Sequence, residues 1–439
     1  MSKLALKGIF LPFLSICLFI PGIAFAQEGL DTGDTTWIMV STALVLFMMI
    51  PGLALFYGGL VAKKNVLSVL MQCFAVTALV TIIWTIVGYS LTFDTTGMVA
   101  GEWNLYAFVG GLDKAFLHGI TPDTLSGSIP ELSFFAFQLT FAIITPGLFI
   151  GAFAERMKFS AIMWFVGLWV ILVYFPIAHM VWGGEGSFFG DMGVFDFAGG
   201  IVVHITAGVA ALVAAIMVGL RRGYPMPTPP HNMTMTLTGT AMLWVGWFGF
   251  NGGSALAANG TAAMAIVVTQ ISPCVAALTW IAIEWIKNGK PSALGFATGA
   301  IAGLAAITPA SGTVGPMGAI AIGFVSALLA YVAATWLKYQ FKYDDALDVV
   351  GVHGVGGFVG IILVSFFASV SLGGTVVDLD IPNQLKVQAL AAFFTIIYTG
   401  IISFIILKFL DVFVGLRVTE EQEVQGLDYS DHGESGYDL

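Results

Sequence analysis

Charge is scarce in this 439-residue chain: Asp, Glu, Lys and Arg supply 10% of its residues, against roughly 25% in a soluble domain. A water-soluble globular fold is excluded on that ground. Basic residues are scarcer still, 16 against 26 acids for a formal charge of −10, which excludes a nucleic-acid binder built on a basic face. The three cysteines, Cys17, Cys73 and Cys274, stand apart in apolar surroundings and supply neither a disulfide framework nor a metal-ligand cluster. What remains is apolar. Hydrophobic residues make up 58% of the chain and the mean hydropathy is +0.93, the composition of an all-α polytopic membrane protein.

The N-terminus carries Lys3 and Lys7, an apolar run, and Ala24-Phe25-Ala26 before Gln27. That is the pattern of a cleavable signal peptide, 1–26, and the run is short of the ~20 residues a span needs. An uncleaved extra span is the alternative. Eleven apolar segments follow, at about 35–61, 66–92, 131–154, 159–181, 195–219, 235–257, 260–286, 292–308, 315–337, 347–370 and 385–413, each close to the length that crosses ~30 Å of hydrocarbon. The eighth is short and glycine-rich, with Gly295, Gly299 and Gly303 at the spacing that lets membrane helices approach closely.

Orientation follows from the few cations. With the mature N-terminus outside, the inner loops hold Lys63, Lys64, Arg156, Lys158, Arg221, Arg222, Lys287, Lys290, Lys338 and Lys342, and Lys408 and Arg417 lie near the inner end of the last span. The outer loops hold Lys114 and Lys386. Twelve against two is a positive-inside pattern. An odd number of spans then places the C-terminus in the cytoplasm.

Two apolar segments repeat one spacing, an aspartate followed eight residues later by a histidine: Asp196 to His204 and Asp345 to His353. Ionisable groups are costly inside a membrane and by default mark a path for something polar. The fifth segment runs inward and the tenth outward, so the two aspartates start from opposite boundaries. The halves, about 35–219 and about 235–370, therefore read as a 5+5 inverted repeat, an arrangement that places sites at the midplane. At 1.5 Å per residue each histidine lies about 12 Å in, which brings the imidazoles within roughly 6 Å of one another along the membrane normal. Two separately satisfied histidines are the plain alternative.

The same topology orders other residues by depth: Trp182, Phe137 and Ser254 near the outer surface, then Phe141 and Phe250, then His204 and His353. Each alone is ordinary, since a phenylalanine on a membrane helix commonly faces lipid and an interfacial tryptophan commonly anchors there. The layering is the signal. Aromatic faces with one hydroxyl suit a small hydrogen-bond-donating cation, each cation–π contact supplying ~0.5–2 kcal/mol. Below them a full charge costs at least ~2.5–3.5 kcal/mol, so a cation able to drop its proton crosses more easily as a neutral molecule. Neutral imidazole offers one donor and one acceptor to guide it. Ammonium meets these requirements; potassium cannot deprotonate.

From about residue 37 to near the C-terminus the chain resembles the ammonium transporter family (Amt/Mep/Rh), in its bacterial Amt-type branch. The matching segments are Phe56-Tyr57-Gly58-Gly59-Leu60, Phe137-Gln138-Leu139-Thr140-Phe141, Glu155 to Ser160, Asp196 to His204, Trp247 to Ser254 and Gly351-Val352-His353-Gly354. The resemblance implies an outer ammonium site from Phe137, Phe141, Trp182 and Ser254, a gate from Phe141 and Phe250, and a paired-histidine pore from His204 and His353. It implies a structural and deprotonating role for Asp196, which also suits an N-cap, and a homotrimer with one pore per subunit. Asp345 and Asp348 occupy the corresponding inner position and suit caps of the tenth segment.

The expected organisation is a signal peptide at 1–26, a membrane domain at 27–413 ending in a last helix at about 385–413, and a cytoplasmic tail at 414–439. From Val418 onward the tail carries seven acids and neither Lys nor Arg, ordinarily a solvated run. Gly426-Leu427-Asp428 and Ser430 to Glu434 resemble the family's regulatory tail, which implies packing on the pore's inner face and regulation by a PII signal protein. The expected protein is therefore an ammonium transporter of the bacterial inner membrane, embedded in lipid, not an enzyme, with no cofactor and no metal. An ammonium sensor of the same fold is one rival. A membrane metalloprotein with His204, His353 and a carboxylate as ligands is the other.

Overall fold

The computed structural model describes residues 29–226 and 228–437; the expected signal peptide lies outside the described residues. Eleven long helices carry the fold: α1 Thr32–Leu60, α2 Lys63–Phe93, α3 Glu131–Phe153, α4 Phe159–Trp182, α5 Gly200–Val218, α6 Met233–Gly253, α7 Gly260–Asn288, α8 Ala293–Ala310, α9 Pro316–Gln340, α10 Val350–Phe367 and α11 Ile381–Phe413. Two short helices follow, α12 Glu420–Gln425 and α13 Leu427–His432. The described residues include one two-stranded antiparallel ribbon, β1 Leu125–Ser126 with β2 Ile129–Pro130.

Ten of the long helices are apolar enough to cross a membrane. The exception is α6, 21 residues long but diluted by Thr234, Thr236, Thr238, Thr240 and Asn251. The short eighth segment, by contrast, is among the ten. The small residues of α6 let it pack closely against α1 all the same. A Cβ on Gly239 would stand 2.2 Å from the Phe56 backbone nitrogen, and one on Gly246 2.2 Å from Met48 Cγ. Close helix contact of this kind gives dispersion and shields backbone from lipid. Gly299 and Gly303 do the same for α8 against Ala276 and Ser272 of α7.

The last helix is polar on the inside and apolar outside. Gln384, Gln388, Thr395, Thr399 and Ser403 are buried along one face, while Phe393, Ile397, Ile401 and Phe404 are exposed. Gln388 Nε2 donates to the Phe195 carbonyl at 2.7 Å, and Trp169 Nε1 donates to Ser403 Oγ at 3.1 Å. In hydrocarbon such bonds hold helices together where a hydrophobic drive is missing.

The two histidine-bearing helices are wound alike. Each opens with a π-type turn, Gly200–Ile205 in α5 and Val350–Val355 in α10, a widening that recurs at functional sites. Their crossing needs glycine. A Cβ on Gly208 would fall 2.2 Å from Gly354 Cα, and one on Gly357 would fall 2.7 Å from His204 Cβ. Gly208 lies four residues after His204, and Gly357 four after His353.

One face of the bundle is closed by the loops that follow α1, α3, α5 and α9. Arg221 donates from Nε to Asp344 Oδ2 and from Nη2 to Asp344 Oδ1, both at 2.9 Å, and reaches Glu155 at 3.2 Å. Burial by itself would raise the Asp344 carboxyl, but this guanidinium outweighs it and holds the group below its ordinary value. The tail docks on the same face instead of extending into solvent. Leu427 N donates to Asn65 Oδ1 and Ser68 N to Asp428 Oδ1, each at 2.8 Å. Lys64 Nζ donates to the carbonyls of Glu423 and Val424, and Arg417 pairs with Glu423 at 2.8 Å. This is the tail face; the other is the far face.

Candidate functional site

Three cavities run in line through the bundle. The far-face cavity, about 170 Å³, is lined by Phe93, Phe134, Gln138, Phe141, Trp182, Phe197, Ser254 and Leu256. Phe134, Gln138 and Phe141 are one stripe of α3 at i, i+4 and i+7. Trp182 closes α4, and its ring meets Phe141 at right angles, centroids 5.9 Å apart. Its indole N–H is taken by the Asp196 carbonyl at 2.8 Å. Ser254 Oγ donates to the Phe250 carbonyl at 2.8 Å, which leaves its lone pairs free to accept.

Phe141, in the wall of this cavity, packs against Phe250, which lines the next one, their centroids 4.2 Å apart. Phe137 does not line the far-face cavity. That ring is fully buried, packed edge-on behind Phe141 at 5.0 Å, and Gly253 makes room for it.

Beyond the phenylalanine pair lies a central cavity of about 10 Å³, near the ~10–15 Å³ that admits one water. Phe250, Trp247, His204 and His353 share its wall with aliphatic side chains. The Nδ1 atoms of His204 and His353 stand 3.2 Å apart with the ring planes 18° from parallel. One nitrogen of that contact carries hydrogen and the other a lone pair, so a single proton is shared across it. His204 Nε2 is buried with no partner among the described residues, a polar atom left for a transient guest. Trp247 lies over His204, centroids 5.6 Å apart and 26° from parallel, with its N–H on Thr308 Oγ1 at 2.8 Å. The tryptophan is thereby locked, and it holds the imidazole in plane.

His353 also lines the third cavity, about 150 Å³ on the tail face, with Phe56, Tyr57, Arg221, Lys338 and Asp348 among its walls. The central and tail-face cavities thus share His353, Phe56 and Ile301 as wall residues, while the phenylalanine pair stands between the central and far-face cavities. Asp196 stands beside the row: its carboxylate accepts the backbone N–H groups of Gly199, Gly200, Ile201 and Val202 at 2.5–3.1 Å. Those are the donors a helix start leaves unmatched, so the side chain caps the first turn of α5. Among the described residues no three His, Cys, Asp or Glu side chains gather closely enough to hold a metal ion.

Sequence reasoning passed over Trp247, Gly208 and Gly357. Trp247 had a visible signal, standing three residues before Phe250 on the same helix face. The glycines had one as well, each four residues after a repeated histidine.

A bundle of apolar helices pierced by a row of small cavities, shut by an aromatic pair and lined by facing imidazoles, is the architecture of a membrane transport protein for a very small solute. The comparisons with known proteins give the family. The Ammonium Transporter Family model matches residues 36–437. The chain is 45% identical to the ammonium transporter of Aquifex aeolicus over 98% of this chain and 99% of that one. It is 44% identical to the ammonium transporter of Bacillus subtilis over 93% and 99%. Among solved structures it resembles Saccharomyces cerevisiae Mep2, with TM-score 0.80 and 32% identity over 90% of this chain and 89% of that one. It also resembles a protein titled Sensor Amt Protein, with TM-score 0.83 and 29% identity over 91% and 98%. The chain belongs to the ammonium transporter family, a multi-pass membrane family of transporters and not of enzymes.

Proposed function

We propose that this protein recruits ammonium at the far-face cavity, where it gives up one proton to water at that mouth, and conducts ammonia past the histidine pair to the tail face. The 3.2 Å contact between His204 and His353, in the wall of the central cavity and with His353 also lining the tail-face cavity, carries the reading. Trp182 and Phe141 supply π faces and Ser254 an acceptor for the cation, with Phe137 fixing Phe141 from behind. Phe141 and Phe250 part to admit the neutral molecule. Asp196 holds the start of α5 and the Trp182 indole in place, and its negative charge favours a cation at the mouth until the proton leaves.

In this reading α1–α5 and α6–α10 are inverted halves, α11 is the eleventh span, and the polar α6 crosses with the others. The far face is outside and the tail face cytoplasmic, in a bacterial inner membrane; the twelve cations on the inner loops support that orientation. Residues 1–26 are removed, three copies assemble, and the docked tail is where a PII signal protein acts. The test is labelled methylammonium uptake recorded with current in proteoliposomes. His204→Ala or His353→Ala is expected to change flux or selectivity against other cations; unchanged values of both refute the histidine route.

A further inference from the structure

Ammonium arriving in the far-face cavity sheds water and has four N–H donors to satisfy. Among the described residues lining that cavity, side-chain oxygen occurs only on Ser254 and Gln138; the rest are aromatic or aliphatic. The indole N–H of Trp182 is a donor, already spent on Asp196, and repels rather than accepts a cation's hydrogens. Ser254 provides a single oxygen, whose own hydrogen is committed to Phe250. Gln138 interrupts the stripe that Phe134 and Phe141 otherwise make aromatic, one turn from each. An amide on this stripe costs more to desolvate than the phenyl rings above and below it, and the cost is offset when a charged donor meets its oxygen.

We propose that Gln138 is a second ammonium-binding residue: its Oε1 accepts a hydrogen from ammonium held against Phe141 and Trp182, opposite Ser254 Oγ. The inference deepens the recruitment step proposed above and rests on it. Two acceptors and two π faces match the four hydrogens of ammonium. Methylammonium, with three, leaves one position unmatched. Gln138 therefore sets preference among amines as well as affinity.

The experiment uses full-length protein in proteoliposomes, with Gln138→Leu and Gln138→Glu beside the unaltered chain. The readouts are the half-saturating concentrations of ammonium and methylammonium. Gln138→Leu is expected to raise that for ammonium about tenfold, the effect of one lost bond to a charged donor. It is expected to raise that for methylammonium less, so preference between the two falls. Gln138→Glu keeps an oxygen at the same length and retains or tightens ammonium binding; it also guards against a leucine variant that fails to fold. An unchanged half-saturation and preference in Gln138→Leu overturns the proposal, as does equal impairment in both variants, which marks a packing role. No ammonium flux in the unaltered protein sinks the transport reading itself and this one with it. Flux in the unaltered protein with an indifferent Gln138→Leu sinks this one alone.

Discussion

The first turns of α5 and α10 share a sequence spacing and a π-type winding, yet they are anchored by different means. Asp196 gives both carboxylate oxygens to four backbone N–H groups. Asp345, at the matching place, accepts from the Val350 N–H at 2.7 Å, and its Oδ1 is buried without a partner among the described residues. There the brace comes from an ion pair, Lys338 with Asp348, and Asp348 holds a left-handed backbone at φ 61°. The mouths differ in the same sense. The far-face cavity is aromatic and lacks Lys and Arg among its described lining residues, whereas Arg221 and Lys338 reach into the tail-face cavity. The two helices nevertheless deliver their imidazoles to one contact. Where the ring must end is fixed by the spacing and the helix crossing; how the first turn is held is free to diverge. Divergence gives the row of cavities two unlike ends.

The crossing should be the harshest place to break that likeness. Gly208→Ala sets a methyl 2.2 Å from Gly354 Cα, against backbone that cannot yield, at a cost of about 3 kcal/mol or more. Gly357→Ala presses on His204 Cβ at 2.7 Å and should cost less while displacing the ring. Thermal unfolding in detergent with methylammonium flux ranks the two; a Gly208→Ala protein with native stability and flux breaks the account of the crossing.

The anchors come next. Asp196→Ala strands four buried donors, each worth about 1 kcal/mol or more, and should abolish transport. Asp345→Ala strands one and removes an unpartnered oxygen, for a loss of about 1 kcal/mol. Equal losses in paired unfolding curves would erase the distinction between the two helix starts.

Acid should act more gently, and on the tail face. The Asp344 carboxyl is held below the ordinary value of ~3.9. Its stabilisation is therefore complete above that value and is lost as pH falls through the lowered one. Asp344→Asn should flatten this acid limb of the stability curve, and unfolding temperatures followed below about pH 4 show whether it does.

Much of the helix count was legible because membrane spans announce themselves by length and apolarity. The sixth and eighth segments show where that signal weakens: α6 is too polar for the ordinary criterion and is secured by glycines against α1, while the short α8 meets it. Trp182, Ser254 and Phe141 share one cavity and Phe250 packs against Phe141; Phe141 and Ser254 were legible through their i and i+4 neighbours on one helix face. Phe137 shares that face too, yet its ring packs behind Phe141 and off the cavity. Rotation of a helix about its axis is set by its neighbours, and spacing within the helix cannot report it. The acidic run of the tail read as solvated by charge alone, whereas backbone groups of Ser68 and Leu427 and the Asn65 amide tie it down.

The sequence by itself determined that the chain is lipid-embedded and helical, that its cations crowd one set of loops, and that two imidazoles sit at matched depths. Each is a property of single segments, governed by transfer from water to hydrocarbon and by helical rise. Only the tertiary structure decided that the rings meet at 3.2 Å, that Trp247 lies over one of them, and that Phe141 packs against Phe250. Those depend on helix rotation and on backbones brought together at Gly208 and Gly354, where close packing between distant segments outweighs any local preference.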